Sequence, residues 1–324
     1  MKSVTYDTIT IGTAAIDAFL QIRDVKTRTD KQTFTREYAF PLGGKVPITH
    51  LEEHFGGNAV NAAVGFSRLG LKTAILTSLG TSAVSETLIT YLKKRSVAIE
   101  WISKSKKSAI NRSYILDWEK DRSDRVILSY HQPKDFRNLR FPKTRFLYLT
   151  SLGEYFEEVA RQIPKTPRLI FNPGGYELSL GAHALLPILE RAEILIVNKT
   201  EAANLLNVEE KATSDHFLIS HISRLGPKIV VVTSGKHGAS AGGRDGTVLF
   251  ERSIPPDDLQ EVTGAGDAFA VGFTSAYFYG KKLTECLRWG ALNATACIQK
   301  IGAQNGLLTI GALRKRYKME YGEN

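Results

Sequence analysis

Short runs of β-branched and apolar residues recur at positions 4–12, 73–79, 146–150, 169–171, 194–197 and 228–233. They are short and rich in β-branched and apolar residues, so they predict strands. Between them, apolar positions repeat at steps of three and four, predicting helices over 58–69, 82–95, 154–163, 182–191, 199–206, 214–224, 265–279 and 283–299. Such alternation predicts an α/β fold: a three-layer αβα arrangement around a mostly parallel central sheet. Two stretches break the rhythm. Residues 18–55 and 99–130 carry short polar and apolar alternations rich in Thr, Arg and Lys, with no helical period. They predict a small β-sheet inserted into a single domain over 1–324. The first insertion runs directly into the turn Gly56-Gly57-Asn58, so the small sheet is expected to act as a lid over a site there.

Composition changes this picture little. A hydrophobic fraction of 43% and a charged fraction of 23% are ordinary globular values. No window approaches about eighteen uninterrupted apolar residues, and the stretch from Met1 to Asp7 lacks the apolar run of a secretory signal. A cytoplasmic protein is expected. Cys286 and Cys297 fall in one apolar helical pattern, which predicts buried thiols rather than a disulfide framework or a Cys-based zinc site. The glycosylation-like triplets at Asn111, Asn198 and Asn293 are then incidental.

The formal charge of +10 fits either nucleic acid or a small polyanionic substrate such as a nucleotide. Lys and Arg are spread over 26–36, 93–107, 134–145 and 314–318, without a basic-aromatic RNA motif or zinc-finger spacing. That distribution favours the small substrate. The competing class is a non-catalytic basic protein that binds nucleic acid. Arg314, Lys315, Arg316 and Lys318 are expected on the solvated face of a final surface helix.

Four segments carry candidate chemistry. The first, Thr263-Gly264-Ala265-Gly266-Asp267, opens an apolar helix. Its first-turn N–H groups lack intrahelical partners and sit at the positive end of the helix dipole, so they offer an anion site. Asp267 lies beside it, expected to stay ionised and able to accept a proton from an attacking hydroxyl. The plainer alternative is a tight turn capped by Thr263. The second, Gly56-Gly57-Asn58 followed by Asn61, combines close backbone approach with two amide side chains suited to neutral hydroxyls, or else is an N-capped helix packed closely. The third, Asn198-Lys199-Thr200-Glu201, ends a strand and supplies oxygen ligands of the kind that hold hydrated Mg²⁺, or a capping pair. The fourth, Thr233-Ser234-Gly235-Lys236-His237-Gly238, follows a buried strand and offers glycines and hydroxyls to phosphates, or a plain turn.

His50-Leu51-Glu52-Glu53-His54 matches the HxxEH spacing of some zinc proteases, but that chemistry needs a helix, and the surroundings here read as strand. Surface lid histidines are expected instead.

In this order, and together with Gly12-Thr13-Ala14-Ala15-Ile16-Asp17 and Gly302-Ala303-Gln304, these segments resemble the ribokinase-like (PfkB) family of carbohydrate and nucleoside kinases. The resemblance runs from about residue 4 to 304, and its most specific part is Thr263 to Asp267. It implies an ATP-dependent kinase that phosphorylates a hydroxymethyl group of a neutral sugar or nucleoside, with a nucleoside kinase of the adenosine type as the narrower alternative. Asp267 would be the general base and the amides of Gly264, Ala265 and Gly266 the anion hole. Asn198 and Glu201 would organise Mg²⁺. Thr233, Gly235, Gly238 and Asn293 would face the nucleotide, and Asp17, Gly56, Gly57, Asn58 and Asn61 the acceptor. The resemblance also implies a homodimer through the lid. Three departures bear on specificity. Ala15 and Asn58 replace the Asn and Lys of ribokinase, and no sugar-binding Glu stands near Ser151-Leu152-Gly153, which argues against ribose itself. The absent Lys at position 58 favours neutral over phosphorylated acceptors. Glu261-Val262 stands where the activating monovalent-cation site begins with Asp-Thr, leaving potassium dependence open.

Overall fold

A strand buried on both faces must send alternate side chains into two different apolar layers, and the long strands here do so. A computed structural model describes residues 5–23, 26–29, 36–118 and 121–322. Its strands are β1 (Tyr6–Ile11), β2 (Ala15–Ile22), β3 (Lys26–Thr29), β4 (Arg36–Ala39), β5 (Ile48–Gly56), β6 (Thr73–Leu76), β7 (Ser78–Leu79), β8 (Ser103–Lys104), β9 (Asn111–Trp118), β10 (Asp121–Tyr130), β11 (Thr144–Leu149), β12 (Arg168–Phe171), β13 (Ala192–Asn198), β14 (Ile229–Thr233), β15 (Ala239–Gly243) and β16 (Val248–Glu251). The helices are α1 (Asn58–Arg68), α2 (Ala83–Lys94), α3 (Phe156–Gln162), α4 (Gly175–Ser179), α5 (Gly181–Leu189), α6 (Lys199–Leu206), α7 (Asp215–Arg224), α8 (Ala265–Phe278), α9 (Leu283–Cys297) and α10 (Ile310–Tyr321).

The large sheet runs β16-β15-β14-β13-β12-β11-β1-β6. From β6 to β14 the pairing is parallel, and β15 and β16 close the other edge antiparallel. Leu147, Leu149, Leu195 and Val197 enter one core with Phe156, Leu185 and Ile222 from α3, α5 and α7. Their neighbours Phe146, Tyr148, Ile194 and Ile196 enter the other with Phe66, Phe273 and Trp289 from α1, α8 and α9. The expected three-layer fold with a mostly parallel sheet is therefore present. One predicted strand divides: the run at 73–79 gives β6 in the large sheet and β7, which pairs with β8.

The small sheet runs β10-β9-β2-β5, with β2 and β9 parallel and both outer pairs antiparallel. It begins at Ala15, three residues before the expected boundary, because β2 continues directly out of β1. Within 99–130 only β9 and β10 join it; β8 belongs to the main body. Parts of the expected lid at 24–25, 30–35 and 119–120 lie outside the described residues. Among the described residues, no helix is long and apolar enough to cross a membrane. Both cysteines are free and buried.

Candidate active site

Helix α8 starts without a side-chain cap. Its N-cap is Gly264, at φ +82°, where a Cβ would come within 2.8 Å of Ala303 Cα. Only glycine meets that backbone and that neighbour together. Ala265 and Gly266 of the first turn line a cavity of about 580 Å³ with Thr233, Gly235, Gly238 and Phe269, and Ala265 N makes a 3.3 Å bond to the Val262 carbonyl within the turn. A helix start of this kind binds anionic oxygen through its free N–H groups.

Asp267 sits one residue further on and is tied to the rest of the molecule by a chain of amides. Asn61 Nδ2 donates to Asp267 Oδ2 at 2.8 Å, and Gln304 Nε2 donates to Asn61 Oδ1 at 2.8 Å. Gln304 Nε2 also donates to the Phe55 carbonyl, and Tyr91 Oη donates to Gln304 Oε1 at 2.7 Å. This network fixes α1, α2, the end of β5 and the C-terminal loop around one carboxylate. Burial raises the Asp267 carboxyl to about 7; the Asn61 hydrogen bond opposes the shift, while the charges of Asp17 and Glu201 add to it. Asp267 is therefore poised near neutrality rather than held firmly ionised, as its helix position had suggested. The dipole favours the anion by at most about 2 kcal/mol, and desolvation outweighs it here.

On the β2 side, burial raises Asp17 to about 6, against a Ser113 hydrogen bond that lowers it. Asp17 is 7% exposed, and a Cβ on Gly56 would run into its carboxylate. Gly57 caps α1 at φ +88°, pressed so closely on β2 that a Cβ would lie 2.8 Å from Ala15 N. The glycine pair thus brings Asp17, Asn58 and Asn61 to one end of the sheet. Asn58 and Thr13 line a second cavity, of about 650 Å³, with Ser151, Leu152 and Gly153. Asn61 points instead to Asp267 and Gln304 and is 5% exposed, so its role is to orient a carboxylate as much as to meet a ligand.

Sequence reasoning missed Glu177. It is fully buried; its Oε1 accepts from Leu152 N and Gly153 N and its Oε2 from Gly174 N, at 2.7 to 2.9 Å. A glutamate does reach the 151–153 segment, from α4, but the backbone consumes both of its oxygens.

On the other side, Asn293 does not face the cavity that holds Thr233, Gly235 and Gly238. It is 1% exposed; its Nδ2 donates to the Ala268 carbonyl and its Oδ1 accepts from Leu308 N. The expected nucleotide contact is corrected accordingly: Asn293 ties α9 to α8, and Ala291, Ala294 and Thr295 line the cavity in its place. Asn198 and Glu201 form a reciprocal cap of α6, each side chain accepting the other's backbone N–H at 2.8 Å. The cap takes one of the two Glu201 oxygens and one lone pair of the single Asn198 amide oxygen, and burial raises the Glu201 carboxyl. An amide oxygen and a carboxylate suit Mg²⁺ bound partly through water or phosphate. No cluster of three or more His, Cys, Asp or Glu suited to a metal occurs among the described residues, so any such ion would rely on substrate oxygens.

Glu261 folds back on its own loop, its two oxygens accepting from Thr263 N and its Oε1 from Thr263 Oγ1, with Arg125 Nη1 of β10 at 3.8 Å. His50 and His54 lie on strand β5, not on a helix, and both ring Nε2 atoms share Glu52, at 2.7 and 3.0 Å. A helical zinc motif is excluded at this segment.

The description "pfkB family carbohydrate kinase" matches residues 32–310. A nucleoside kinase of Methanocaldococcus jannaschii is 26% identical over 270 residues, covering 82% of this chain and 85% of that protein. Among solved structures, a Burkholderia thailandensis nucleoside kinase in complex with inosine superposes with a TM-score of 0.78 at 18% identity, covering 98% of each chain. The Arabidopsis thaliana ribokinase complexed with ribose and ATP gives 0.76 at 20% identity, covering 96% of this chain and 98% of that one.

Proposed function

The chain belongs to the pfkB family of carbohydrate kinases, ATP-using phosphotransferases with an alcohol acceptor, and we propose that it phosphorylates a hydroxymethyl group of a neutral sugar or nucleoside. The observation that carries this reading is the position of Asp267. It is joined through Asn61 to the helix that opens at Asn58, beside the 650 Å³ cavity, and it follows directly on the amides that line the 580 Å³ cavity. A group at that junction can take the proton of an acceptor hydroxyl as the hydroxyl attacks a phosphoryl group held at the start of α8.

In this reading Asp267 is the general base. The amides of Gly264, Ala265 and Gly266 stabilise the charge developing on the transferred group. Thr233, Gly235 and Gly238 hold the nucleotide phosphates. Asp17, Gly56, Gly57 and Asn58 position the acceptor, and Asn61 serves both the acceptor side and the base. Asn198 and Glu201 organise Mg²⁺, which when bound neutralises phosphate charge. Glu261 is already satisfied by Thr263 and Arg125, which weighs against a cation-activation site at its carboxylate.

The small sheet serves as the lid. Its site-facing side carries Asp17, Ser113 and His54, in register across β2, β9 and β5. The opposite face carries Leu51, Val126, Leu128 and Tyr130 at 57, 38, 54 and 57% exposure. A sheet with an apolar outer face calls for a cover, and the occupant we assign is the same face of a second copy, giving a homodimer. Sedimentation of the intact protein and of Leu128→Asp tests it: a dimer that dissociates in the variant agrees, and a monomeric wild type refutes it.

An acceptor screen tests the activity: ATP, Mg²⁺ and ribose, fructose, 2-keto-3-deoxygluconate, adenosine, cytidine or inosine, with phosphorylated product read by ³¹P NMR. Product from at least one acceptor is expected. Hydrolysis of ATP with no phosphorylated acceptor among sugars and nucleosides contradicts the reading.

A further inference from the structure

The acceptor-side cavity contains a charge that nothing in the proposed reaction uses. Lys134 lines it together with Asn58, His131, Tyr155 and Tyr176. The side chain is 7% exposed, and its Nζ donates to the Ala109 carbonyl. No carboxylate pairs with it among the described residues. Of the two acids on the same cavity, Glu177 is saturated by three backbone N–H groups and Glu154 is solvent-exposed. Burial alone lowers the ammonium to about 8, so it is still mostly protonated at neutral pH.

An ammonium has three donors, and the protein satisfies one of them. Burying a charge without a counter-charge is costly, and chains keep such groups where a ligand completes them. A lysine that served only to hold the Ala109 carbonyl would do so equally well from a wet position. The cavity, about 650 Å³, is of the size that encloses a ligand larger than a free pentose. Tyr155 and Tyr176 supply rings able to flank a planar group.

Resting on the kinase reading above, we propose that Lys134 is a specificity-determining residue that donates to a carbonyl or carboxylate oxygen on the acceptor, outside the phosphorylated hydroxymethyl group. The tyrosines favour the carbonyl of a nucleobase as its source, and the carboxylate of a sugar acid is the other. The acceptor is neutral at its reacting end, and the cation is met by an oxygen elsewhere on the molecule.

The test compares acceptors that differ by this oxygen alone. In the wild type, kcat/KM for inosine should exceed that for purine riboside, which lacks the base oxygen, by at least about tenfold, as befits one hydrogen bond to a charged donor. In Lys134→Met the ratio should fall to near one, through a raised KM for inosine, with purine riboside turnover and the KM for ATP within about threefold of wild type. Lys134→Arg, which keeps a charged donor, should retain part of the preference. If nucleosides are not turned over and 2-keto-3-deoxygluconate is, loss of that acid's turnover in Lys134→Met supports the carboxylate source. A wild type indifferent to the base oxygen and inactive on the acid overturns the proposal, and so does a preference that survives in Lys134→Met. Should Lys134→Met not fold, the wild-type comparison of inosine with purine riboside still decides. Absence of turnover with every acceptor overturns the kinase reading itself.

Discussion

The cavity at the start of α8 and the one that Asn58 lines are made of different material. The nucleotide-side cavity is walled by Ile254, Pro255, Pro256, Leu259, Phe269, Ala291 and Ile298. Two of its hydroxyls are turned to the backbone: Thr295 Oγ1 donates to the Ile254 carbonyl and Ser253 Oγ to that of Lys236. Its cations, Lys236 and Arg252, suit phosphates rather than a base. The acceptor side instead gathers polar groups: Lys134 on the cavity wall, Asp17 and Asn61 buried beside Gly56 and Gly57, and the half-buried Asp267 between the two sides. One partner is met by shape and free N–H groups, the other by side chains held in low dielectric. Changes on the first side should therefore act through geometry, and changes on the second through charge and hydrogen bonding.

The largest effect should come from closing the geometry. In Gly264→Val the side chain must leave the left-handed conformation and also displaces Ala303, so turnover should fall by about 10³-fold or more with a stability loss of about 1–3 kcal/mol. Gly266→Ala is the contrasting case. A Cβ there meets no protein atom within 4 Å, so the methyl projects into open space at the anion site. Stability should hold or rise by up to about 1 kcal/mol while the KM for ATP rises. A Gly266→Ala enzyme with unchanged ATP kinetics would remove the helix start from the donor site.

On the acceptor side, Gln304→Leu deletes the link from Tyr91 and Phe55 to Asn61. The expected result is a kcat lower by roughly 10–100-fold with little change in the KM for ATP, since the residue acts through Asp267 rather than on nucleotide. An equal rise in both KM values would point to general loosening.

The pH dependence is a subtler test. A base must be ionised to work, and Asp267 is raised to about 7, so kcat/KM should fall as pH drops below about 7, by about tenfold per unit. Asn61 donates to this carboxylate and lowers its pKa. Asn61→Ala should therefore move the acid limb to higher pH. A limb near 4, or one that does not move, would assign the titration to another group.

The smallest effect concerns the nucleotide base. Away from the groups that suit phosphates the cavity wall is mostly apolar, so GTP should replace ATP within about tenfold in kcat/KM, against the much larger factors that a dedicated polar site imposes.

This contrast also explains what could be read from the chain alone. The parallel strands and the helix starts were legible because each rests on local periodicity or on glycine at a required turn, as at Gly57 and Gly264. β15 and β16 were not, because Ala239–Gly243 is ASAGG, a strand without β-branched residues that only pairing with β14 and β16 sustains. Asn293 was misplaced because helical spacing does not say which side of α9 is buried against α8. Lys134, Glu177 and the function of Gln304 were out of reach for a related reason. Gln304 lies 243 positions from Asn61, and Glu177 lies 25 from Leu152, so only the fold brings these partners together.

Asp267 is a half-buried base whose proton affinity serves transfer at a cost to the fold. Its folded pKa, about 7, lies above the ordinary aspartate value of 3.8. The folded state therefore holds a proton that the unfolded chain has released, and stability from this group, full below pH 3.8, is lost as pH rises through about 7. Asp267→Asn, assayed at pH 7.5 for turnover, ATP binding and thermal unfolding, reads both sides at once. Turnover should drop by about 10³-fold or more with ATP binding kept. Stability should rise by roughly 1–3 kcal/mol, a gain that shrinks toward pH 4. A variant that keeps turnover within tenfold of wild type, or that is less stable than wild type at pH 7.5, would contradict that claim.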